Sequence, residues 1–204
     1  DGMIALIDIN ISNINSVSKA LDHLGVDYKV VNNPDEVAEC EGIIFPGVGS
    51  FNIASEKLKL SGMREVIKDN VINQQMPFLG ICLGMQLIAN TSLEGGESKG
   101  LGLIDAEVMR IPEDNRHKVP HVGWNNVAHD GAGVFAGIEP DADFYFVHSY
   151  RMVVNDSSVK CFYTDYVGKT IAYVESGNIY GAQFHPEKSQ FNGLKLLKNF
   201  SGLC

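Results

Sequence analysis

The chain has 204 residues, 45% of them hydrophobic and 20% charged, with a formal net charge of -9. That supports one substantial core and one domain. The acidic balance excludes a phosphate-binding surface for nucleic acid, and no apolar run approaches the ~20 residues of a membrane helix.

Residues 3–7 (Met-Ile-Ala-Leu-Ile) read as a fully buried strand. Asp1 and Gly2 before it read as an expression remnant, with Met3 the native start, and no secretory signal is legible. Ile14, Val17, Leu21 and Leu24 share one helical face, with Gly25 as the stop. A second strand covers residues 28–31. Asn33-Pro34-Asp35-Glu36 then opens a short helix, with a polar cap, an early proline and acids in the first turn. Residues 42–45 form a third strand ending in Pro46-Gly47-Val48-Gly49, and a helical stretch over 63–73 leads to a fourth strand at 77–81.

Strands alternating with helices predict an α/β fold with an open, mostly parallel, flavodoxin-like sheet covered by helices. The second half differs. Residues 144–147, 159–163, 171–175 and 179–184 are strands in quick succession, separated by turns such as Val167-Gly168-Lys169 and Ser176-Gly177-Asn178. They read as antiparallel hairpins extending the same sheet, and a helix over 194–200 closes a single domain. Cys40, Cys82, Cys161 and Cys204 form no C-x-x-C pair. That spacing argues against a metal or disulfide framework and for a reducing, cytoplasmic setting; no cofactor is expected.

Chemistry concentrates at Gly80-Ile81-Cys82-Leu83-Gly84, a G-x-C-x-G elbow between a buried strand and a helix. The sharp turn strains the nucleophile's backbone, and side chains two residues to either side would collide. Amides and a helix dipole at the turn favour the reactive thiolate. The other cysteines are read as packing residues.

A thiolate attacking an amide needs a proton carrier. His185 ends a strand and is followed by Pro186 and by Glu187, placed to hold the imidazole's tautomer. His148, before Ser149 and Tyr150, is read as a wall of the site. His23, His117, His121 and His129 are read as surface or loop residues. Gly47 and Gly49 let the third strand's end swing toward a tetrahedral intermediate, so the Val48 and Leu83 N–H groups are the expected oxyanion hole.

With Phe45–Phe51, Leu79–Leu87, Val119–Asn125, Phe144–Tyr150 and Gly181–Ser189, the chain resembles class I (triad-type) glutamine amidotransferases. The closest likeness is to the branch serving imidazole glycerol phosphate synthesis in histidine biosynthesis. The resemblance implies a γ-glutamyl thioester on Cys82 and release of ammonia from L-glutamine. Gln86 and Glu94 match substrate-binding positions. The implied partner is a (β/α)8 cyclase subunit that receives the ammonia, with Trp124, Lys188, Asn10 and Asn13 near the interface. One loop departs from the family's Asp-Tyr-Gly-x-Gly-Asn: Asp8-Ile9-Asn10-Ile11-Ser12-Asn13 keeps the ends and lacks the aromatic residue and both glycines. A paralogue supplying ammonia for sugar amidotransfer is the alternative expectation. A non-catalytic domain on the same fold is disfavoured by the intact Cys82, His185 and Glu187. A cysteine protease fits the elbow and His-Pro-Glu pattern poorly.

Overall fold

The computed structural model describes residues 2–204, so Asp1, half of the expected expression remnant, lies outside the described residues. In chain order the first half runs β1 (Ile4–Ile7), α1 (Ile14–Leu24), β2 (Tyr28–Val31), β3 (Gly42–Gly47), α2 (Phe51–Ser61), α3 (Met63–Lys68), β4 (Phe78–Cys82) and α4 (Leu83–Gln86). A 3-10 turn over Pro34–Glu39 carries the predicted Asn33 cap, whose side chain accepts from the Asp35 N–H. The second half adds β5 (Thr91–Ser92), β6 (Ser98–Lys99), β7 (Ala106–Arg110), β8 (His121–Val127), β9 (Ala142–His148), β10 (Tyr150–Val154), β11 (Lys160–Asp165), β12 (Lys169–Ser176), β13 (Ile179–Ala182) and α5 (Gln190–Ser201).

The main sheet has seven strands in the order β11-β12-β13-β4-β3-β1-β2. Strands β2, β1, β3, β4 and β13 are joined by parallel pairing, and β12 and β11 are added by antiparallel pairing. This is the expected class I amidotransferase architecture. Alternation along β1 divides the interior in two. Ala5 and Ile7 enter a core with Phe51, Leu58, Met63 and Ile67 of α2 and α3. Ile4 and Leu6 enter one with Val17 and Leu21 of α1 and Leu197 and Phe200 of α5. Helices therefore cover both faces, as a parallel sheet with two apolar sides requires.

Several boundaries move. Helix α2 was not anticipated; its apolar positions Phe51, Ala54 and Leu58 are diluted by polar neighbours, and tertiary burial decides it. The strand over 144–147 does not extend the main sheet. It is part of β9, which pairs with β8 in a separate ribbon, while Phe144 and Phe146 turn into the second core. A further sheet, β10-β7-β5-β6, was also missed. Strand β13 stops at Ala182; the Gln183 N–H still bonds to Ala172 of β12, and the His185 N–H then turns to Tyr145 of β9. Helix α4 is a single turn: the carbonyls of Leu87, Ile88 and Ala89 accept from Leu101, Leu103 and Gly102 instead of continuing it.

The register of the central strands matters most for function. Gly47 pairs with Cys82 across β3 and β4, and Gly181 pairs with Gly80 across β13 and β4. A methyl on Gly84 would overlap the Phe45 carbonyl oxygen, and one on Gly80 would lie 2.7 Å from the Gly84 carbonyl carbon. Backbone packs on backbone here, so nothing flexible can yield. Gly84→Ala should therefore lower stability by about 1–3 kcal/mol or more, read as a fall in the urea midpoint at unchanged slope. An unchanged midpoint would show that the elbow does not depend on this contact.

Candidate active site

Cys82 ends β4 with φ 55 and ψ -109, a conformation that costs a non-glycine residue about 1–3 kcal/mol. The kink lifts its thiol off the strand, at the carboxyl edge where open α/β sheets bind ligands. Its sulfur lies 3.8 Å from the Val147 carbonyl and 3.8 Å from Gln183 Nε2. With α4 only one turn long, the expected helix dipole is small, and the local amides matter more. Leu83 is the first residue of that turn, where an N–H has no intrahelical acceptor.

His185 precedes the 3-10 turn over Pro186–Lys188, and Glu187 lies within it. His185 Nδ1 lies 3.0 Å from Glu187 Oε1, with both side chains at most 5% exposed. The carboxylate accepts, so Nδ1 carries the proton and Nε2 is the working nitrogen. Nε2 is buried and makes no hydrogen bond among the described residues. Cys82 is near enough to act on it electrostatically, although their contact is not a formed hydrogen bond; such contacts commonly tighten on substrate. Burial pulls the imidazole down, but Cys82 and then Glu187 together pull harder, raising it from 6.5 to about 10. The histidine is thus held as a proton donor for a leaving amine.

A cavity of about 470 Å³ opens over Cys82. Val48, Gly49, Leu83, Gln86, Glu94, His148, Ser149 and Tyr150 also line it, gathering the expected substrate-facing residues from four separate stretches. Gln86 is buried rather than a helix-surface amide. It donates from Nε2 to the Tyr150 carbonyl and to Gln183 Oε1, each at 3.1 Å. Both its N–H groups are engaged, which leaves Oε1 to accept from a ligand. Glu94 accepts from the Phe51 N–H at 3.2 Å, and burial raises its carboxyl above the usual range.

The oxyanion expectation meets a competing hydrogen bond at Val48. Its N–H donates to the Ile11 carbonyl at 2.7 Å, so in this conformation it is bound to the loop after β1 and is not offered to the cavity. Gly47 packs tightly between Ile11 and Leu83, where a methyl would lie 2.9 Å from Ile11 Cδ1, and Gly49 takes φ 95. The divergent loop is accommodated in kind. Asn10 adopts φ 61, a left-handed value that asparagine tolerates better than most residues, and Ile9 and Ile11 are buried in the first core.

Two residues escaped the sequence reading. Gln183 is fully buried between Gln86 and Cys82; its signal was its place two residues before His185. His121 is no surface histidine: it is 3% exposed and sits 3.0 Å from His148 Nε2. Outside the cavity, Trp124 is 49% exposed and edge-on to Tyr145, Asn10 and Lys188 are exposed, and Asn13 caps α1.

A family model described as glutamine amidotransferase class-I matches residues 5–201. The imidazole glycerol phosphate synthase subunit HisH 1 of Campylobacter jejuni (strain RM1221) is 43% identical over 199 residues, covering 97% of this chain and 98% of that protein. The subunit HisH of Moorella thermoacetica (strain ATCC 39073 / JCM 9320) is 45% identical over 201 residues, covering 98% and 94%. A solved structure described as a glutamine amidotransferase shares the fold with a TM-score of 0.77 at 17% identity, covering 98% of this chain and 97% of that one.

Cys82→Ala removes the leading upward influences on His185 while burial still pulls it down. Its titration, followed by the imidazole NMR resonances, should therefore fall well below about 10. Because the folded value is raised, this histidine's contribution to stability is full below about 6.5 and fades as pH rises toward 10. In Cys82→Ala the contribution should be smaller and exhausted at lower pH, because only the folded value moves. An unmoved titration would mean that thiol and imidazole do not interact.

Proposed function

Because the chain belongs to the class I glutamine amidotransferases, we propose that it is the glutaminase subunit of an imidazole glycerol phosphate synthase, feeding ammonia to a cyclase partner. The observation carrying the chemistry is the strained Cys82 elbow, which lines a cavity of about 470 Å³ and has the buried His185–Glu187 pair beside it. The pathway rests on relatives of that name that match nearly the whole chain. The same relatives leave the sugar-modifying alternative disfavoured.

The Cys82 thiolate attacks the side-chain amide carbon of L-glutamine. The developing oxyanion is met by backbone N–H groups, with Leu83 as one donor and Val48 as the other once its bond to Ile11 is released. His185 delivers a proton from Nε2 to the leaving nitrogen, which departs as ammonia and leaves a thioester on Cys82. Neutral His185 then takes a proton from water as it attacks the thioester, freeing glutamate. Glu187 keeps the imidazole oriented and stabilises its charge in both halves.

The Val48–Ile11 bond supports a low-activity resting state. Losing one oxyanion donor typically costs ~100-fold or more in rate. A partner that binds better when Val48 has turned would shift the population toward the active form. Exposed Trp124, Lys188 and Asn10 are the residues through which such a partner would be felt.

Glutamine hydrolysis should be slow for the purified chain alone. It should rise by about 100-fold or more with the cyclase from the same organism and its ribonucleotide substrate. Cys82→Ala should abolish glutamine turnover while the complex still makes product from ammonium. Full activity of the isolated chain would remove the resting-state account. Weak activity that this cyclase cannot raise would move the glutaminase to another pathway.

A further inference from the structure

The cross-strand pair of β8 and β9 sets His121 directly opposite His148. His121 is sandwiched between Tyr166, stacked at 3.8 Å, and Phe146, stacked at 4.8 Å. The two histidines form the middle of a hydrogen-bonded chain whose direction follows from its ends. His148 Nδ1 lies 2.8 Å from the Tyr150 carbonyl. A carbonyl only accepts, so His148 carries its proton on Nδ1.

Neutral His148 then presents Nε2 as an acceptor, and the group 3.0 Å away is His121 Nδ1. His121 therefore donates from Nδ1 and accepts at Nε2, where Asn125 Nδ2 stands 3.3 Å away. The Asn125 amide is oriented independently, since Oδ1 accepts from the Asn126 N–H and Nδ2 also donates to the Asp165 carbonyl. Charging either imidazole would set two N–H groups against each other. Burial agrees, holding both histidines down at about 4.

The far end of this chain is part of the reaction cavity. The Tyr150 carbonyl accepts from His148 Nδ1 and from Gln86 Nε2, while Gln86's second N–H goes to Gln183, whose own Nε2 approaches Cys82. His148, Ser149, Tyr150 and Gln86 line the cavity, and His121 does not.

We propose that His121 is a positioning residue for glutamine binding, acting through His148 to hold the Tyr150 carbonyl and the Gln86 amide in the geometry that receives the substrate. The proposal rests on the glutaminase reading above. A purely packing role is the alternative, because an imidazole between two rings also fills space. The two differ in what they need from the side chain: positioning needs a donor toward His148 Nε2, whereas packing needs volume.

The test uses the full complex with the cyclase and its ribonucleotide. In His121→Leu the space is filled and the donor is lost, leaving a buried acceptor unpaired. KM for glutamine should rise about tenfold, with kcat within about threefold, the pattern of lost ground-state binding. In His121→Asn the side-chain amide can donate in place of Nδ1, and KM should return to within about threefold of the native value. Equal KM in Leu, Asn and native chains would overturn the proposal. So would equal loss in both variants alongside a common fall in melting temperature. If His121→Leu does not fold, ¹⁵N shifts of the native imidazoles decide: both rings must carry their proton on Nδ1, and the opposite tautomer at either one overturns the relay. No glutamine turnover by the native complex would instead overturn the glutaminase reading.

Discussion

The molecule depends on one backbone contact, the close approach of the turn after β4 to the end of β3. Cys82 holds a left-handed conformation only because Gly84 lies against the Phe45 carbonyl and Gly80 against Gly84, with no side chain between them. That packing fixes the register that puts Gly47 beside Cys82. It also leaves room for Gly181, whose missing side chain admits Met85, Val174 and Ile88. Strain at the nucleophile is thus carried by the rigidity of a parallel sheet buried on both faces.

Once the elbow is set, electrostatics follow from burial. His185 and Glu187 leave the sheet on a short turn tied to β9 through the His185 N–H and through the Ser189 hydroxyl, which donates to the His185 carbonyl and accepts from the Tyr145 N–H. The pair is desolvated and faces the Cys82 sulfur. Its proton is held far more tightly than in water, and that suits a step in which an amine must leave. The oxyanion side is built differently. Val48 is held by the Ile11 carbonyl, so this element has an alternative hydrogen bond and the nucleophile does not. A rigid elbow thus stands beside a Val48 N–H donor that is already engaged.

The β8–β9 ribbon links the cavity to the exposed face. Its inward positions supply His121, Phe144, Phe146 and His148, and its outward positions include Val122 and Trp124. A two-residue period makes one strand serve both surfaces. The geometry of the substrate wall is therefore set in part by residues adjacent to those expected to meet another subunit.

The parallel half of the fold was legible because its strands are uniformly apolar and its helices have caps at the right spacing. Gly25 and Asn33 act as their residue types imply, and Asn13, not read as a cap, caps α1. The elbow was legible for a similar reason, since its glycines answer a local steric demand. Helix α2, the detached ribbon and the role of His121 were not. Their identity depends on which surfaces meet: α2 is helical through burial, β9 pairs with β8 rather than the main sheet, and His121 is buried only when Tyr166 and Phe146 close over it. By itself the sequence determined the elbow at Cys82, the His-Pro-Glu turn at His185 and the sheet that carries them, because backbone sterics and hydrophobic period act over a few residues. Only the tertiary structure decided that Val48 N–H is bonded away from the cavity and that two histidines share one proton-ordered chain. Hydrogen-bond direction depends on atoms brought together from distant parts of the chain.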